Sequence, residues 1–348
     1  MLKAGIVGAG AVANGTHAPA YTEIPNVSLE AIAELDDERR EQFGRKFNVK
    51  QRYADAEQMF ESADLDLVSI CTPPHMHEEL VIAAADAGLA ILCEKPIATT
   101  VEAAENMLDA IEEAQVDAAG GYSLPYYKPF ERAKKQIENN IIGSIRRIDV
   151  SYYTLNEAVK SWRMDPTKAG GGVLMDLGPH VLSGFLQLRR DEITIDSAEV
   201  HRFAAHNVES DVTLEGHLGE IPFTIKTGYR TKGGPTRIHF FGTDGQVQMT
   251  RSEVILDAHK FNLQYAQSGL PKISFALAER TVGPDPVPAL EWFSQYDGDD
   301  SFKRVQSFVE TVAESEPNRV PFADSVEILS AIKTAYMELG IDTPITQQ

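Results

Sequence analysis

Residues that can move protons stand in two short motifs of this sequence. Lys95 belongs to a Glu-Lys-Pro motif directly after a predicted buried strand, and the carboxyl ends of parallel strands border the crevice where such sheets bind ligands. Asp176 and His180 are four residues apart, which places both on one face of a continuous helix. Because an imidazole titrates near neutral pH, we expect His180 to act as a general base whose ring Asp176 orients.

A proline lies inside this predicted helical segment. In an unbroken helix, the ring of Pro179 would clash with the carbonyl of Met175. The alternative is that Gly178 ends one turn and Pro179 begins a new helix. His180 would then lie beside the positive end of that helix, which disfavours the imidazolium and keeps the ring competent as a base.

A glycine-rich turn predicts a dinucleotide site. Residues 8–13 read Gly-Ala-Gly-Ala-Val-Ala, between a predicted strand and a predicted helix. This G-x-G-x-x-A pattern permits a tight turn, close approach of a pyrophosphate and phosphate binding by the free N–H groups of the helix. The residues predicted to hold the phosphates are Gly8, Gly10, Ala11 and Val12. The alternative is an ordinary turn without a ligand.

An acidic residue ends the second predicted strand and bears on the choice of cofactor. Glu34 follows Gly10 by 24 positions, near the spacing of the acid that bonds a ribose 2′-hydroxyl. A carboxylate repels a 2′-phosphate, and the next residue, Leu35, offers no cation. We therefore expect NAD to be preferred over NADP, although Arg39 and Arg40 in the next helix could weaken the preference.

Strand-like and helix-like segments alternate over the first 120 residues. The strands are buried rather than alternating in polarity, which indicates a doubly wound parallel sheet, the Rossmann architecture. The predicted strands are Ala4–Gly8, Leu29–Glu34, Leu65–Cys71 and Ala90–Cys93, and the predicted helices are Val12–Ile24, Asp36–Phe47, His77–Ala87 and Val101–Ala114.

The pattern changes after Tyr122 to an α+β domain with a large, open mixed sheet. The predicted strands are Ile145–Leu155, Ile193–Phe203, Val212–Leu218 and Ile221–Tyr229, followed by a hairpin with its turn at 242–245. The predicted helices are Pro129–Asn140, Gly172–Leu188, Phe302–Ser315 and Ser325–Leu339. A proline-rich acidic segment, 281–300, is predicted to be an exposed loop. We predict domains at 1–121 and 122–348, with the closing helices (about 302–339) packing back on the first.

Composition excludes several classes of function. The formal net charge is −20, a field that repels nucleic acid and anionic lipid, and no apolar run reaches the roughly 18 residues of a membrane span. Cys71 and Cys93 are too few for a disulfide framework, which indicates a reducing, cytoplasmic location. Together with His75 and His77 they match no zinc-ligand spacing, so no metal site is expected.

Three further motifs carry a family resemblance. A Cys-Thr-Pro-Pro-His-Met-His segment starts at residue 71, the Glu-Lys-Pro motif spans 94–96, and Gly-Gly-Gly-Val-Leu-Met-Asp-Leu-Gly-Pro-His spans 170–180. Together they resemble the Gfo/Idh/MocA oxidoreductases, the glucose-fructose oxidoreductase and inositol dehydrogenase family, over essentially the whole chain. The resemblance implies a Rossmann domain, a second α/β domain with an open sheet, and sugar or polyol chemistry at a nicotinamide.

The resemblance also implies roles for individual residues. Lys95 matches the lysine beside the nicotinamide and the substrate hydroxyl, and Asp176 and His180 match the family's Asp-x-x-x-His pair. The other residues placed at the cofactor are Thr72, Pro73, His77, Glu94, Trp162 and Arg163. Arg163 could hold a substrate carboxylate or phosphate, or form an interdomain salt bridge. Tyr122, at the domain junction, is predicted to wall the pocket or donate a hydrogen bond.

The sequence therefore predicts an NAD-dependent oxidoreductase that moves a hydride between the nicotinamide and a secondary alcohol of a sugar, polyol or sugar derivative. Two alternatives remain open: an NAD-dependent glycoside hydrolase or lyase that uses transient oxidation, and a non-catalytic sensor of the same ligands. The second sheet has more surface than its few helices can cover, so we expect a homodimer or homotetramer.

Overall fold

The first 120 residues form a parallel sheet with helices on both faces. The computed structural model describes residues 1–155, 161–203, 208–230, 236–250, 253–258, 261–266, 271–272, 302–314 and 317–341. The strands are β1 Leu2–Val7, β2 Val27–Ala33, β3 Gln51–Tyr53, β4 Leu67–Ile70, β5 Ala90–Cys93 and β6 Ala118–Gly120. They lie in the order β3-β2-β1-β4-β5-β6, so the strand order reverses between β1 and β4, where such sheets bind dinucleotides. The predicted doubly wound sheet is confirmed.

Three of the helices described in this half begin at a residue whose side chain caps the helix. After a π-helical turn, Ala13–His17, the helices are α1 Ala18–Glu23, α2 Asp37–Lys46, α3 Ala56–Ser62, α4 His77–Asp86 and α5 Val101–Ala114. Asp36, Asp55 and Thr100 cap α2, α3 and α5, each accepting a backbone N–H three residues on. Such caps satisfy N–H groups that have no partner within the helix.

The second half of the chain forms a large mixed sheet. Its strands are β7 Ile145–Leu155, β8 Ile193–Phe203, β9 Glu209–Leu218, β10 Ile221–Arg230, β11 Arg237–Gly242, β12 Gly245–Thr250, β13 Glu253–Ala258, β14 Phe261–Ala266 and β15 Pro271–Lys272. They lie in the order β15-β14-β13-β12-β11-β7-β10-β9-β8. In the described ranges β7 and β10 pair in parallel and the other neighbours are antiparallel. The predicted mixed sheet is confirmed, as is the hairpin that joins β11 to β12.

The helices of the second half are α6 Lys128–Glu138, the short α7 Pro166–Ala169, α8 Val173–Leu188, α9 Lys303–Glu314 and α10 Phe322–Glu338. Of these, α6, α8 and α10 contact the strands and cover one face of this sheet. The opposite face, here called the outer face, carries polar and charged side chains, among them Arg147, Asp149, Thr213, Glu215 and Lys226. Its burial by a second subunit stays a prediction.

Helix α8 runs without a break through Pro179, so the alternative in which a new helix begins at this proline is wrong. A proline inside a helix costs about 3 kcal/mol. Burial offsets that cost here, because nearly every side chain of α8, including Pro179, is buried in the core. His180 consequently lies in the helix interior, away from the positive end that the alternative would have placed beside it.

The two closing helices contact the first sheet as well as the second domain. Val305, Phe308 and Val309 of α9 join the hydrophobic cluster that contains Ile6 and Leu92 of the first sheet, and α10 contacts α5 and β6. The predicted loop at 281–300 lies outside the described residues. Among the described helices, none combines the length and apolar character that crossing a membrane requires.

Candidate active site

A cavity of about 860 Å³ runs along the carboxyl ends of β1, β4 and β5 and reaches the second domain. Gly10, Glu34 and Thr72 border one part of it, and Lys95 and His180 border another. Its volume lies within the range of roughly 300–1,000 Å³ found for small-molecule sites. The cavity therefore joins the predicted dinucleotide turn to the predicted catalytic residues.

The glycine-rich turn leaves room for a ligand close to the backbone. Gly8 has φ +89°, and a Cβ on it would lie 3.1 Å from the carbonyl of Cys71. Gly10, Ala11 and Val12 line the cavity where the helix begins. N–H groups in the first turn of a helix have no partner within the helix and bind phosphates. The predicted phosphate-binding residues thus meet at one wall.

Glu34 is buried directly beyond the end of β2 and is held by several donors. Its Oε2 accepts the Ala9 N–H at 2.8 Å and its Oε1 accepts the Asp36 N–H at 3.0 Å. Arg39 Nη2 also lies 3.2 Å from Oε1, and Arg40 donates to the Glu34 carbonyl at 2.7 Å. Both arginines whose influence on cofactor choice the sequence left open therefore contact Glu34.

The turn after β4 presents an unsatisfied hydroxyl at the cavity. Thr72 and Pro73 line the cavity, and Thr72 Oγ1 is buried without a hydrogen-bond partner among the described residues. His77 lies behind this turn, fully buried, with Nε2 2.8 Å from the Thr72 carbonyl and Nδ1 3.0 Å from that of Ile97. His77 thus supports the turn from behind. The unpaired hydroxyl and the glycine turn both fit a bound dinucleotide.

Lys95 and Asp176 join the two domains across the cavity. Lys95 Nζ donates to Asp176 Oδ1 at 2.8 Å and to the Asp176 carbonyl at 2.7 Å, and Tyr229 donates to Oδ2 at 3.3 Å. Burial alone would raise the pKa of Asp176, but the Lys95 ammonium outweighs it and holds that pKa below its usual value. Asp176 is therefore a carboxylate that positions Lys95.

His180 has a different partner from the one predicted. Its Nδ1 lies 3.2 Å from Ser123 Oγ, and its ring stacks on Tyr152 with the centroids 6.0 Å apart. Since the oxygens of Asp176 accept from Lys95 and Tyr229, the expectation that Asp176 orients the imidazole is replaced by an interaction with Ser123. Burial, followed by the charge of Lys95, lowers the pKa of His180 to about 3, so the ring is neutral.

Glu94 forms a buried cluster that the sequence did not reveal. Its Oε1 lies 2.9 Å from His17 Nε2 and 2.5 Å from Arg304 Nη2, and Arg304 also donates to the Gly121 carbonyl at 2.8 Å. Burial would raise the pKa of Glu94, but Arg304 and His17 lower it to about 2. The cluster ties the helix after the glycine turn, the Lys95 loop and α9 together. Arg304 stands 210 positions after Glu94, so no local spacing could have revealed it.

Trp162 and Arg163 line the cavity from the second domain. The Arg163 guanidinium lies 4.5 Å from the centre of the Trp162 ring, and its Nε is 3.9 Å from Asp176 Oδ1. This ion pair lies within the second domain, so it is not the interdomain bridge that the sequence left open. Lys95 and Asp176 do form an interdomain bridge.

The prediction that Tyr122 walls the pocket is wrong. Tyr122 is 1% exposed and its ring belongs to the hydrophobic core, where burial raises the pKa of its hydroxyl. The next residue, Ser123, lines the cavity instead, as does Tyr127. Ser123 has a helical backbone conformation at the start of the turn Leu124–Tyr126, and this shift of one position decides which residue faces the cavity.

The glycine directly before α8 makes room for a buried acid that the sequence analysis also missed. Glu209 accepts N–H groups of Gly172 at 2.9 Å and of Leu174 at 3.1 Å, and the Tyr336 hydroxyl at 2.5 Å. A Cβ on Gly172 would lie 2.2 Å from the Glu209 carbonyl oxygen. Glu209 therefore caps the start of the helix that carries Asp176 and His180.

The fold and the cavity define a two-domain protein with a Rossmann domain and a ligand cavity that reaches an α/β domain. A family model for an oxidoreductase family with an NAD-binding Rossmann fold matches residues 2–122. A second, for the GFO/IDH/MocA C-terminal domain, matches residues 130–248. The chain belongs to the Gfo/Idh/MocA oxidoreductase family.

The chain has low sequence identity to individual members of known function. The chain is 32% identical over 193 residues to a levoglucosan dehydrogenase of Pseudarthrobacter phenanthrenivorans, which is 52% of this chain and 49% of that protein. The chain thus spans about half the length of that relative. It is 24% identical to a myo-inositol 2-dehydrogenase of Thermotoga maritima, over 71% of this chain and 74% of that one.

The fold is shared with solved structures. That of a levoglucosan dehydrogenase in complex with NADH and L-sorbose covers 97% of this chain and 96% of its own, with a TM-score of 0.83 and 22% identity. The match extends over both domains and therefore includes the second sheet as well as the Rossmann sheet.

Proposed function

We propose that this protein is an NAD-dependent dehydrogenase that oxidises a secondary alcohol of a sugar, a polyol or a sugar derivative. The observation that carries the proposal is that Lys95, which is held by Asp176, and His180 both line the cavity that the glycine turn also lines. The curated relatives that act on levoglucosan and myo-inositol support the substrate class.

The chain offers contacts for the phosphates and for a ribose hydroxyl of the cofactor. The N–H groups at Gly10, Ala11 and Val12 would hold its phosphates, and Thr72 Oγ1 would gain the hydrogen bond that it lacks. When bound, a nicotinamide cofactor supplies the hydride acceptor. Glu34 would accept a hydrogen bond from a ribose hydroxyl and repel a 2′-phosphate. Arg39, whose Nη2 lies 3.2 Å from Glu34 Oε1, offsets part of the negative charge of Glu34.

Two side chains would act on the substrate hydroxyl, one by accepting its proton and the other by binding its oxygen. His180, neutral because its pKa is lowered to about 3, would take the O–H proton. Lys95 has three N–H donors, and Asp176 accepts from Lys95 at its carbonyl and at Oδ1. The remaining donor would hold the substrate oxygen and stabilise the negative charge that develops on it.

The test is a panel of sugars, polyols and glycosides with NAD, followed by absorbance of NADH and by release of aglycone. NADH formation is expected. His180→Ala should lower turnover by about 10²–10⁴-fold with NAD affinity, read by fluorescence, nearly unchanged. Lys95→Ala should lose at least as much, because positioning is lost together with charge stabilisation. His201→Ala, on the outer face of the second sheet, is the control.

Each other outcome identifies a rival. Aglycone release without net NADH would support the glycoside hydrolase or lyase, and binding of NAD and sugar without turnover would support the sensor. Near-normal turnover of His180→Ala would place the base elsewhere. Because the ring is already neutral, turnover should not fall between about pH 7 and pH 5 as protonation of an ordinary histidine would cause.

Cofactor choice has its own test. Binding of NAD(H) should be tighter than that of NADP(H) in the unmodified protein. Glu34→Ser combined with Leu35→Arg should narrow or reverse this preference, because the carboxylate is removed and a cation is supplied for a 2′-phosphate. Tighter binding of NADP(H) by the unmodified protein would contradict the role given to Glu34.

A further inference from the structure

The imidazole of His180 is connected through a serine to a tyrosine. Ser123 Oγ lies 3.2 Å from His180 Nδ1 and donates its hydrogen to Tyr127 Oη at 3.5 Å. Ser123 is 8% exposed, and all three residues line the cavity. A serine hydroxyl carries a single hydrogen and two lone pairs, so what it offers to the ring depends on where that hydrogen points.

The direction of these hydrogen bonds selects one form of the ring. With its hydrogen directed at Tyr127, Ser123 Oγ can only accept from the imidazole, so Nδ1 must carry the ring proton. In a neutral histidine the proton on one nitrogen leaves the lone pair on the other. Nε2 is then the basic nitrogen. Ser123 has the orienting role that the sequence analysis had given to Asp176, whose carboxylate is used by Lys95.

We propose that Ser123 is a positioning residue that, with Tyr127, holds His180 in its Nδ1–H tautomer and so leaves Nε2 as the proton acceptor for the substrate hydroxyl. This inference rests on the proposed function, since His180 is the base in both. Tyr127 acts by keeping the serine hydrogen away from the ring. Without that acceptor the hydroxyl is free to donate to Nδ1, which would move the ring proton to Nε2, where no proton can be accepted.

The direct test is the tautomer itself, read from the ¹⁵N chemical shifts of the histidine rings in labelled protein, with His180→Gln to assign the signals. The unmodified protein should show Nδ1–H at His180. Tyr127→Phe should shift the population toward Nε2–H, and Ser123→Ala should leave a mixture. Ser183→Ala is the matched control, because the Ser183 hydroxyl donates to the His180 carbonyl at 2.8 Å rather than to the ring. The proposal would be overturned if His180 carried its proton on Nε2 in the unmodified protein. It would also be overturned if the tautomer of His180 were the same in the unmodified protein, in Tyr127→Phe and in Ser123→Ala.

Turnover supplies a second readout. Ser123→Ala should lower kcat by about 10-fold, and Tyr127→Phe by as much or more, with NAD affinity unchanged. Ser123→Thr, which keeps the hydroxyl, should restore much of the rate. The double variant should be no slower than Tyr127→Phe alone, because without the serine hydroxyl nothing is left to donate to Nδ1.

The catalytic role of His180 and the positioning role of Ser123 can be refuted separately. If His180→Gln keeps normal turnover, His180 is not the base, and the proposed function loses that role whatever the tautomer is. If His180→Gln is inactive while Ser123→Ala and Tyr127→Phe turn over normally, His180 remains the base and the positioning role of Ser123 is wrong. Fluorescence titration with NAD establishes in each case that the variant is folded.

Discussion

Two buried glutamates support the two sides of the candidate active site, and their carboxyl groups respond to burial in opposite ways. Glu94, beside Lys95, is 6% exposed and its pKa is lowered to about 2; Glu209, at the start of α8, is 2% exposed and its pKa is raised. Burial disfavours the charge in both. Arg304 compensates for it at Glu94, whereas Glu209 is held by backbone N–H groups and the Tyr336 hydroxyl.

The difference indicates that the hydrogen bonds at Glu209 offset the effect of burial less than the Arg304 cation does at Glu94. A buried charge is stable when it is paired, and removal of one partner leaves the other uncompensated. We therefore expect the stability of the Glu94 cluster to depend on its ion pair with Arg304. The stability of the start of α8 should depend instead on the positions of the hydrogen bonds that Glu209 accepts. Three experiments test this contrast.

The largest effect is expected from Arg304→Met, which leaves Glu94 buried without its cation. The free energy of unfolding should fall by about 3–5 kcal/mol, the cost of breaking a buried pair, as measured by denaturant titration. Lys303→Met is the control on the same helix. Its partner Glu131 is only partly buried, so about 1 kcal/mol or less is expected. Equal losses of unfolding free energy in the two variants would show that the buried Arg304–Glu94 pair stabilises the protein no more than the partly exposed Lys303–Glu131 pair.

A smaller effect is expected from Glu209→Gln. The amide keeps the shape, and its oxygen at the Oε1 position can still accept from Gly172, Leu174 and Tyr336. Its NH₂ group, however, replaces Oε2, which also accepts the Gly172 N–H at 2.9 Å, so two donors then face each other. The expected cost is about 1–3 kcal/mol, measured in the same titration, with Glu215→Gln on the outer face as the control. If Glu209→Gln lowered the free energy of unfolding as much as Arg304→Met, a charge on Glu209 would be as important for stability as the buried ion pair.

The smallest but most diagnostic difference is the pH dependence of these effects. The lowered pKa of Glu94 contributes stability that is present above about pH 4.5 and is lost as the pH falls toward 2. The stability difference between the unmodified protein and Glu94→Gln should therefore shrink in acid.

Glu209 has the opposite sign. Because its pKa is raised in the folded state, its contribution is fully present below about pH 4.5 and is lost as the pH rises through the raised value. The difference between the unmodified protein and Glu209→Gln should be largest in acid and shrink toward neutral pH. If stability–pH curves of the two variants run in parallel, the contrast between the two glutamates is wrong.

Local patterns were sufficient for much of the fold. The predicted strands Ile145–Leu155 and Ile193–Phe203 are confirmed with the same bounds. Such strands can be predicted because they depend on the types of neighbouring residues along the chain. The structure places Lys95 after β5, and Asp176 and His180 on one helix, as their spacing predicted. These features need only the period of a helix and the rule that ligands bind at the carboxyl ends of parallel strands.

Contacts between distant residues could not be predicted in the same way. Tyr122 and Ser123 are adjacent, and only packing determines which one faces the cavity. Glu209 reaches Gly172 across 37 positions, and nothing in the residues around either one indicates the other. Pro179 shows the same limit for backbone structure, since its local preference for a helix start yields to the burial of the side chains around it.

The sequence by itself determined the fold class, the glycine turn and the residue types available for chemistry, because these follow from short-range periodicity and from the functional groups themselves. The tertiary structure decided which groups are partners: Asp176 with Lys95, His180 with Ser123, and Glu94 with Arg304. The physical reason is that a hydrogen bond or an ion pair depends on separations of a few ångströms. Tertiary packing sets those separations, within the second domain for His180 and Ser123 and between the two domains for the other two pairs.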